Sequence, residues 1–539
     1  MPDTAHLDTF ARDRLPPREE WPQLLFELPE LRYPARMNCG AELLDKAVLA
    51  GAGGRIAIRS PRATWTYADL LENANRVAWV LTEDLGLVPG NRVLLRGANT
   101  PMMAACWFAV VKAGGIAVTT MPLLRAKELS DIVTKAQISH ALCDRALAAE
   151  LETAQPSCPS LGHILHFHEA AGLEARMRSK PEGFRNADTS TEDICLIAFT
   201  SGTTGQPKGT MHFHRDVMAI CDCFPRSTLK PDAEDIFCGT PPLGFTFGLG
   251  GLLLFPLRFG ASTVLIENPT PEAVLRTIEE HRATILFTAP TVYRMMAAQV
   301  HAHDLHSLKT CVSAGEMLPA ATRRLWQDAT GIRIIDGIGS TEMLHIFISA
   351  AGDDIRPGAT GKPIPGYRAA VLDEAGRPLP PGRMGRLAVQ GPTGCRYLDD
   401  ERQKSYVVNG WNVTGDAYVM DDEGYYWYQA RLDELIISAG HNISGAEVEE
   451  ALLAHPRVAE CGVVGMADET RGRIVKAFVV LRPDDEPSQD LVRELQEWVK
   501  NRIAPYKYPR AIEFVSALPR TETGKLQRFR LGQTQGTRP

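Results

Sequence analysis

A glycine- and hydroxyl-rich segment gives the strongest chemical signal in the sequence. The apolar run Cys195–Phe199 leads into threonines, serine and glycines that end in Pro207-Lys208-Gly209. Glycines let a backbone approach a ligand closely, and N–H groups, hydroxyls and a lysine can together surround phosphate oxygens. The spacing is not that of a Walker A loop, because GxxxxGK[ST] is absent. Taken alone, the segment also fits a flexible surface turn.

Four later residues could complete a phosphate-handling site. Thr341 and Glu342 lie in DGIGSTEMLHIF (336–347), and a hydroxyl can donate to phosphate while a hard carboxylate suits Mg²⁺. Asp416 could accept two vicinal hydroxyls, and Lys525 adds positive charge. Each has a plainer interpretation: a helix N-cap for Thr341, a turn residue for Asp416 and a solvated charge for Lys525.

Alternating strand and helix patterns must position these residues. Apolar runs such as RVLLRG (92–97) and GIRIIDGIG (331–339) alternate with helical spacing, as in 70–85 and 271–282. This order predicts parallel sheets covered by helices. We therefore expect an α/β fold with helix-flanked mixed and parallel sheets in a large N-terminal domain.

The last hundred residues have a separate pattern of strands and helices. A helix over 491–503 places Leu491, Leu495 and Val499 on one face, which predicts a small α/β unit with its own core. The polar stretch 519–530 is expected to form a late loop. The predicted domains are 1–432 and 433–539.

Composition excludes several classes of protein. A chain of 539 residues needs more than one domain, and a net charge of −7 argues against a general nucleic-acid binder. The N-terminus resembles neither a signal peptide nor a membrane anchor, and the most apolar stretch, 248–257, is too short to span a bilayer. Scattered cysteines fit reduced thiols in a cytoplasm, and nothing completes a zinc site at Cys221 and Cys223. We expect a monomer or homodimer.

Six or more motifs, in order, resemble those of the adenylate-forming superfamily of acyl- and aryl-CoA synthetases, luciferases and adenylation domains. They run from TWTYADL (64–70) through TSGTTGQPKG (200–209), SAGEM (313–317) and GSTE (339–342) to PRTETGK (519–525). The resemblance implies an ATP-dependent acid–thiol ligase with Mg²⁺ at Glu342 and CoA as co-substrate. It implies catalytic roles for Lys525, Thr341 and Glu342. The implied ATP or AMP contacts are Thr200, Ser201, Gly202, Thr203, Thr204, Lys208, Gly315, Glu316, Asp336, Gly337, Ile338, Gly339, Thr341, Asp416, Arg431 and Lys525.

The resemblance also implies a mobile C-terminal domain that turns between two half-reactions. Asp433 is at the hinge position, and Ser438 and Gly440 belong to the segment that would face the CoA thiol. The family's Gly-Arg-x-Asp-Asp-x-Ile-Lys reads Ala-Arg-Leu-Asp-Glu-Leu-Ile-Ile from Ala430 here. Losing the glycine puts the local loop shape in doubt, whereas Arg431 and Asp433 keep their implied roles.

The acid is predicted less directly. Segment 241–257 stands where the family builds its acyl pocket, and the pattern is most similar to aryl-CoA ligases. The implied substrate contacts are Phe245, Thr246, Phe247, Gly248, Ala314, Gly339 and His345. We favour 2-aminobenzoate over benzoate, with a flat pocket that excludes long chains. His345 also fits an ordinary core histidine. A medium-chain acyl-CoA ligase, an enzyme that loads a carrier protein and a catalytically inactive binding homologue stay open.

Overall fold

The architecture was obtained as a computed structural model. It describes residues 4–201, 207–432, 434, 436–438, 441–468, 472–483, 485–520 and 526–533. The predicted Gly202, Thr203, Thr204, Asp433, Gly440 and Lys525 lie outside the described residues.

Strands and helices alternate along most of the described chain. The strands are β1 (Ile56–Arg59), β2 (Thr64–Thr66), β3 (Arg92–Arg96), β4 (Ile116–Thr120), β5 (His140–Asp144), β6 (His163–Phe167), β7 (Ile194–Ser201), β8 (Pro207–Phe213), β9 (Ile236–Gly239), β10 (Ser262–Val264), β11 (Ile285–Thr288), β12 (Thr310–Ser313), β13 (Ile334–Gly339), β14 (Ile346–Ser349), β15 (Lys362–Pro363), β16 (Arg368–Leu372), β17 (Met384–Gln390), β18 (Val407–Val408), β19 (Trp411–Met420), β20 (Tyr426–Arg431), β21 (Ile436–Ser438), β22 (His441–Ile443), β23 (Val458–Asp468), β24 (Gly472–Leu481) and β25 (Ala511–Phe514). The α-helices are α1 (Phe10–Asp13), α2 (Lys46–Leu49), α3 (Tyr67–Trp79), α4 (Pro101–Lys112), α5 (Ala126–Ala136), α6 (Ala148–Ala154), α7 (Leu173–Met177), α8 (His214–Phe224), α9 (Thr246–Leu249), α10 (Phe255–Arg258), α11 (Pro271–His281), α12 (Pro290–Ala297), α13 (Ala320–Thr330), α14 (Gln403–Tyr406), α15 (Gly445–Leu453), α16 (Gln489–Lys500) and α17 (Arg528–Gln533).

Two mixed sheets dominate the first 365 or so residues. One has the strand order β6-β5-β3-β4-β7-β8, parallel except for the last pair. The other runs β15-β14-β13-β12-β11-β9-β10-β1-β2, parallel from β13 to β1. All twelve residues of α4 are buried, as expected for a helix that is apolar on every side. The α4 helix contributes to the largest hydrophobic core, together with strands from both sheets. The predicted α/β fold is confirmed.

Local sequence explains where the helices begin. Thr66 caps α3, because its side chain accepts from the Asp69 N–H while the Asp69 carboxylate accepts from the Thr66 backbone. The helix predicted over 70–85 therefore starts three residues earlier, and it continues into a wider turn over Val80–Asp84. Thr270 similarly caps α11. The predicted elements were right and their ends shifted by a few residues.

An antiparallel sheet of β16 to β20 connects these sheets to the C-terminal part. Beyond it, β23, β24 and β25 form a three-stranded sheet with a separate core that includes Leu491, Leu495 and Val499 of α16. The expectation of a late loop over 519–530 was partly wrong. Helix α17 begins at Arg528, because Leu531 packs against Val464 and Phe478 of the C-terminal sheet. The domain boundary at 432/433 stays a prediction.

Candidate active site

The ends of β7 and β8 hold the described part of the glycine-rich segment. These strands are antiparallel neighbours, with Thr200 opposite Lys208 and Ser201 opposite Pro207. Strand β7 also pairs with β4 in the parallel part of the sheet. Thr200 and Lys208 therefore lie side by side at the described end of this strand pair. Lys208 is half-buried at this edge.

The Thr341 segment lies in the connection between β13 and β14. His212, on β8, places Nε2 2.8 Å from the Thr341 carbonyl oxygen, and both residues are buried. Ser340 accepts the Met343 N–H at 3.2 Å, which closes a single turn. No helix among the described residues begins at Thr341, so the N-cap alternative is wrong. His212 therefore connects the strand after the glycine-rich loop to the predicted α-phosphate contact.

Glu342 is held by a tyrosine. The Tyr397 hydroxyl donates to Glu342 Oε1 at 2.5 Å, and Glu342 is only 8% exposed. Lys208 Nζ lies 5.3 Å from the centre of the Tyr397 ring, so the predicted phosphate lysine and the predicted Mg²⁺ carboxylate share one neighbour. Burial, with the Glu342 charge next in order, raises the pKa of Tyr397 far above its usual range. Tyr397 therefore stays a hydrogen-bond donor at neutral pH.

The donor set at Glu342 fits Mg²⁺. Tyr397 engages one carboxylate oxygen, and a single hard carboxylate is the kind of protein ligand that Mg²⁺ takes when phosphates and water supply the rest. Bound Mg²⁺ would neutralise part of the phosphate charge.

Asp416 and Arg431 lie opposite each other on β19 and β20. Arg431 Nη1 is 3.2 Å from both Asp416 Oδ1 and the Thr414 carbonyl oxygen. Asp416 is nearly buried, whereas the Arg431 side chain is 39% exposed. The Arg431 guanidinium thus orients the Asp416 carboxylate. Asp416 lies within β19, where the pairing with β17 is irregular and Gly415 has φ +81°, so it belongs to a bulged strand and not to an isolated turn.

The predicted adenine-edge residues follow β12 and β13. Gly315 has φ +91°, which a residue with a side chain rarely adopts. The Thr291 hydroxyl donates to Glu316 Oε2 at 3.0 Å. Strand β13 carries Asp336, Gly337, Ile338 and Gly339, with Asp336 opposite Ser313 of β12. Burial raises the pKa of the Asp336 carboxyl to about 7, against the opposing effect of Arg323. A carboxyl protonated near neutrality repels a nucleotide anion less than a carboxylate does.

The predicted acid pocket is an aromatic cluster around His345. Thr246, Phe247 and Gly248 are buried on α9, Ala314 is buried, Phe245 is half-buried and Gly339 is exposed. The His345 ring centre is 4.5 Å from that of Phe255, 5.6 Å from Phe247 and 5.7 Å from Phe224. Phe287 completes the cluster at 6.4 Å. A Cβ on Gly250 would come within 2.5 Å of His345 Cδ2, so glycine is needed there.

The imidazole of His345 has no conventional hydrogen bond. It is 3% exposed, and neither ring nitrogen forms a hydrogen bond of standard geometry among the described residues. Burial lowers the pKa of His345 to about 3, against the opposing effect of a hydrogen-bonding contact with the Phe247 backbone. The ring is therefore neutral, with one donor and one acceptor nitrogen.

Sequence reasoning missed four residues at or beside the site. These are His212, Tyr397, Tyr406 and Arg520. Tyr406 places its hydroxyl 3.4 Å from Ser340 Oγ. Arg520 approaches Glu316 Oε1 at 3.5 Å. His212 lies three residues after TSGTTGQPKG, and Arg520 is the arginine of PRTETGK, but the sequence offers no local signal for Tyr397 and Tyr406.

A cluster of potential metal ligands lies elsewhere in the fold. Ligand atoms of Cys39, Cys195 and His214, all buried, lie within 4.8 Å of one another. The Cys39 backbone N–H donates to His214 Nδ1 at 3.1 Å, which occupies that nitrogen's lone pair.

All eleven cysteines lie in the described residues and none forms a disulfide. None of the described helices has the length and apolar content that a bilayer crossing requires.

The fold and site define a nucleotide-dependent, acid-activating enzyme, and comparison with known proteins agrees. Residues 45–397 match the AMP-binding enzyme family, and residues 447–525 match the AMP-binding enzyme C-terminal domain. The chain belongs to the AMP-binding enzyme family and is an AMP-forming acid–thiol ligase.

Individual relatives refine the comparison. Benzoate–CoA ligase of Thauera aromatica is 36% identical, covering 93% of this chain and 97% of the relative. A mitochondrial acyl-coenzyme A synthetase of Mus musculus is 34% identical, covering 93% and 91%. The crystal structure of an anthranilate CoA ligase in complex with anthranoyl-AMP is similar with a TM-score of 0.89 and 35% identity, covering 94% of this chain and 98% of that one.

Proposed function

We propose that the protein is an ATP-dependent aryl-CoA ligase that converts 2-aminobenzoate, ATP and CoA to 2-aminobenzoyl-CoA, AMP and diphosphate. The single observation that carries the substrate is the neutral, buried imidazole of His345, which is enclosed by four phenylalanine rings and whose nitrogens form no hydrogen bond of standard geometry among the described residues. A buried polar group without a partner costs about 1–3 kcal/mol, so a ligand group that satisfies it gains selectivity. An ortho amino group can donate to one imidazole nitrogen. The similarity to a structure that contains anthranoyl-AMP supports the same choice.

The first half-reaction joins the acid to AMP. A carboxylate oxygen attacks the α-phosphorus of ATP, the bond to the bridging oxygen breaks, and diphosphate leaves. Two anions must approach each other, so positive charge at the site lowers the barrier. Lys208 and Lys525 supply such charge, and the Thr341 hydroxyl donates to the α-phosphate. Glu342 would hold Mg²⁺, which would supply further positive charge at the phosphates.

The nucleotide is oriented by residues that take no part in bond breaking. Asp416 accepts the ribose hydroxyls while Arg431 fixes its carboxylate at 3.2 Å. Gly315, Glu316 and the β13 residues Asp336 to Gly339 border the adenine and the acid. The ring of the acid lies against Phe247, Ala314 and His345. Proximity and orientation of this kind convert binding energy into rate.

The second half-reaction transfers the acyl group. The CoA sulfur, as thiolate, attacks the acyl carbon of the mixed anhydride, and AMP leaves with the electron pair of the broken C–O bond. The C-terminal part turns about Asp433 between the steps, withdrawing Lys525 and presenting the Ser438–Gly440 segment. One pocket then serves two steps that need different surroundings. The reaction takes place in the cytoplasm.

A competition among acids tests this proposal. With ATP, Mg²⁺ and CoA, kcat/KM is measured for 2-aminobenzoate, benzoate and octanoate. We expect 2-aminobenzoate to exceed benzoate about tenfold, because one hydrogen bond is gained, and octanoate to be the poorest because the rings leave no long channel. A higher kcat/KM for benzoate would make the protein a benzoate–CoA ligase. A higher value for octanoate would overturn the aromatic assignment.

A further inference from the structure

Tyr397 stands between two groups that must act on the same nucleotide. Its hydroxyl donates to Glu342 Oε1 at 2.5 Å, and the ammonium of Lys208 lies over its ring at 5.3 Å from the centre. The residue is 1% exposed. Lys208 therefore lies over the face of the Tyr397 ring, and Glu342 accepts a hydrogen bond from the Tyr397 hydroxyl.

The surrounding residues fix the tyrosine. Its backbone N–H donates to Gln403 Oε1 at 2.9 Å, and Gln403 Nε2 donates in turn to the Glu20 carbonyl oxygen at 2.8 Å. The neighbouring Arg396 forms a buried ion pair with Asp216. The Tyr406 ring packs edge-on at 5.7 Å. Tyr397 is thus anchored through its backbone, its ring and the residue before it.

Such an arrangement has a chemical purpose. Lys208 and Glu342 carry opposite charges and share Tyr397 as a neighbour, so they would otherwise attract each other. A direct ion pair between them would use up the charge that each needs for the nucleotide and its metal ion. A hydroxyl donor on one carboxylate oxygen leaves the other oxygen for a cation. Outer groups that orient a metal ligand commonly affect metal affinity by about 10–100-fold.

We infer that Tyr397 is a positioning residue that orients Glu342 toward the metal–nucleotide complex and keeps Lys208 from pairing with it. This rests on the proposed role of Glu342 and deepens it. Tyr397 need not touch the substrate. The residue acts only in the half-reaction that uses the triphosphate, because the acyl transfer to CoA involves no diphosphate to neutralise.

The test compares Tyr397→Phe with Tyr406→Phe. Both changes delete one hydroxyl from the same cluster, but the Tyr406 hydroxyl lies 3.4 Å from Ser340 Oγ and is affected by the Glu342 charge without a hydrogen bond to that carboxylate among the contacts of the described residues. Mn²⁺ binding is measured by electron paramagnetic resonance in the presence of α,β-methylene-ATP. Tyr397→Phe is expected to weaken Mn²⁺ binding about 10–100-fold, with a matching rise in the Mg²⁺ needed for adenylate formation. Tyr406→Phe is expected to change either quantity less than about threefold, because its contact is weak.

Two further measurements separate positioning from a general structural effect. Thioester formation from presynthesised 2-aminobenzoyl-AMP should be unchanged in Tyr397→Phe. In a Glu342→Gln background, Tyr397→Phe should cause no additional loss of Mn²⁺ affinity, since the coupling partner is already gone. Wild-type Mn²⁺ affinity in Tyr397→Phe, or equal losses in both tyrosine variants, would overturn the role of Tyr397. Absence of nucleotide-dependent Mn²⁺ binding in the wild type would overturn the role of Glu342 itself.

Discussion

Arg520, close to the predicted adenylation lysine in sequence, lies against Glu316 at the predicted adenine edge. Arg520 Nη1 is 3.5 Å from Glu316 Oε1 and 3.3 Å from the Thr291 hydroxyl. Its Nη2 is 2.7 Å from Glu460 on β23. One guanidinium therefore joins the C-terminal sheet to a segment of the large sheet. Because Thr291 also donates to Glu316, the contact is a small network and not an isolated surface pair.

Arg520→Ala should slow adenylate formation. The change removes the contacts of Arg520 with Glu316 and Glu460, which under the proposed mechanism keep the adenylation lysine near the nucleotide. We expect about a tenfold loss in adenylate formation, corresponding to about 1.4 kcal/mol, with thioester formation from presynthesised adenylate little affected. Arg502→Ala is the matched control, because Arg502 contacts Trp498 within its own unit. Equal effects of the two substitutions would contradict the docking role.

Lys525→Ala should separate the two half-reactions more sharply. Removing the charge that joins carboxylate and phosphate should nearly abolish adenylate formation. Thioester formation from presynthesised 2-aminobenzoyl-AMP should be spared, since the lysine is withdrawn at that stage. The two rates are measured separately by mass spectrometry. Equal loss in both half-reactions would show that the assigned role is wrong.

His345→Phe should change which acid is preferred. The substituted ring keeps the aromatic contacts of the cluster and loses both nitrogens. We expect kcat/KM for 2-aminobenzoate to fall about tenfold, while that for benzoate stays within about twofold, because benzoate has no ring substituent that could pair with the imidazole. Benzoate turnover is the internal control for folding. A parallel fall for both acids would identify His345 as an ordinary core residue.

The same substitution should alter the pH dependence of stability. Burial lowers the pKa of His345 from 6.5 to about 3, so the folded chain holds the ring neutral while the unfolded chain protonates it below pH 6.5. The unfolding free energy should therefore be highest above pH 6.5 and fall toward pH 3, by up to about 1.4 kcal/mol per pH unit from this group.

Urea unfolding between pH 4 and 8 measures this effect. The profile of His345→Phe should be flatter than that of the wild type. A residual slope is expected from His6, whose pKa burial lowers to about 4. His306→Ala, at a side chain that is 90% exposed, is the control and should reproduce the wild-type profile. If His345→Phe left the slope of unfolding free energy against pH unchanged, protonation of His345 would not contribute to the pH dependence of stability.

Local sequence patterns predicted much of the fold. They did not predict the side-chain contacts between separate segments of the site. Apolar runs and helical spacing predicted α/β layers, and the order of motifs predicted which segments carry Thr341, Asp416 and Arg431. The pairing of Tyr397 with Glu342 joins residues 55 positions apart, and that of His212 with Thr341 joins residues 129 apart. Hydrophobic periodicity predicts which elements exist, but not which side chains of two loops meet once the sheets are packed.

The acid pocket shows the same limit. The sequence suggested Phe247 and His345 as neighbours of the ring, and their ring centres are 5.6 Å apart. The contributions of Phe224, Phe255 and Phe287 were not predicted, because an apolar residue in a core helix or strand has the same pattern as one that borders a ligand. The need for glycine at position 250 is likewise visible only in the structure, where a Cβ would come within 2.5 Å of His345.

The most direct test of the central claim is product analysis with a single acid. The enzyme is incubated with 2-aminobenzoate, ATP, Mg²⁺ and CoA, and all products are identified by mass spectrometry. The account predicts equal amounts of 2-aminobenzoyl-CoA, AMP and diphosphate, with 2-aminobenzoyl-AMP accumulating when CoA is left out. Formation of ADP and phosphate, or no thioester from 2-aminobenzoate, would contradict it.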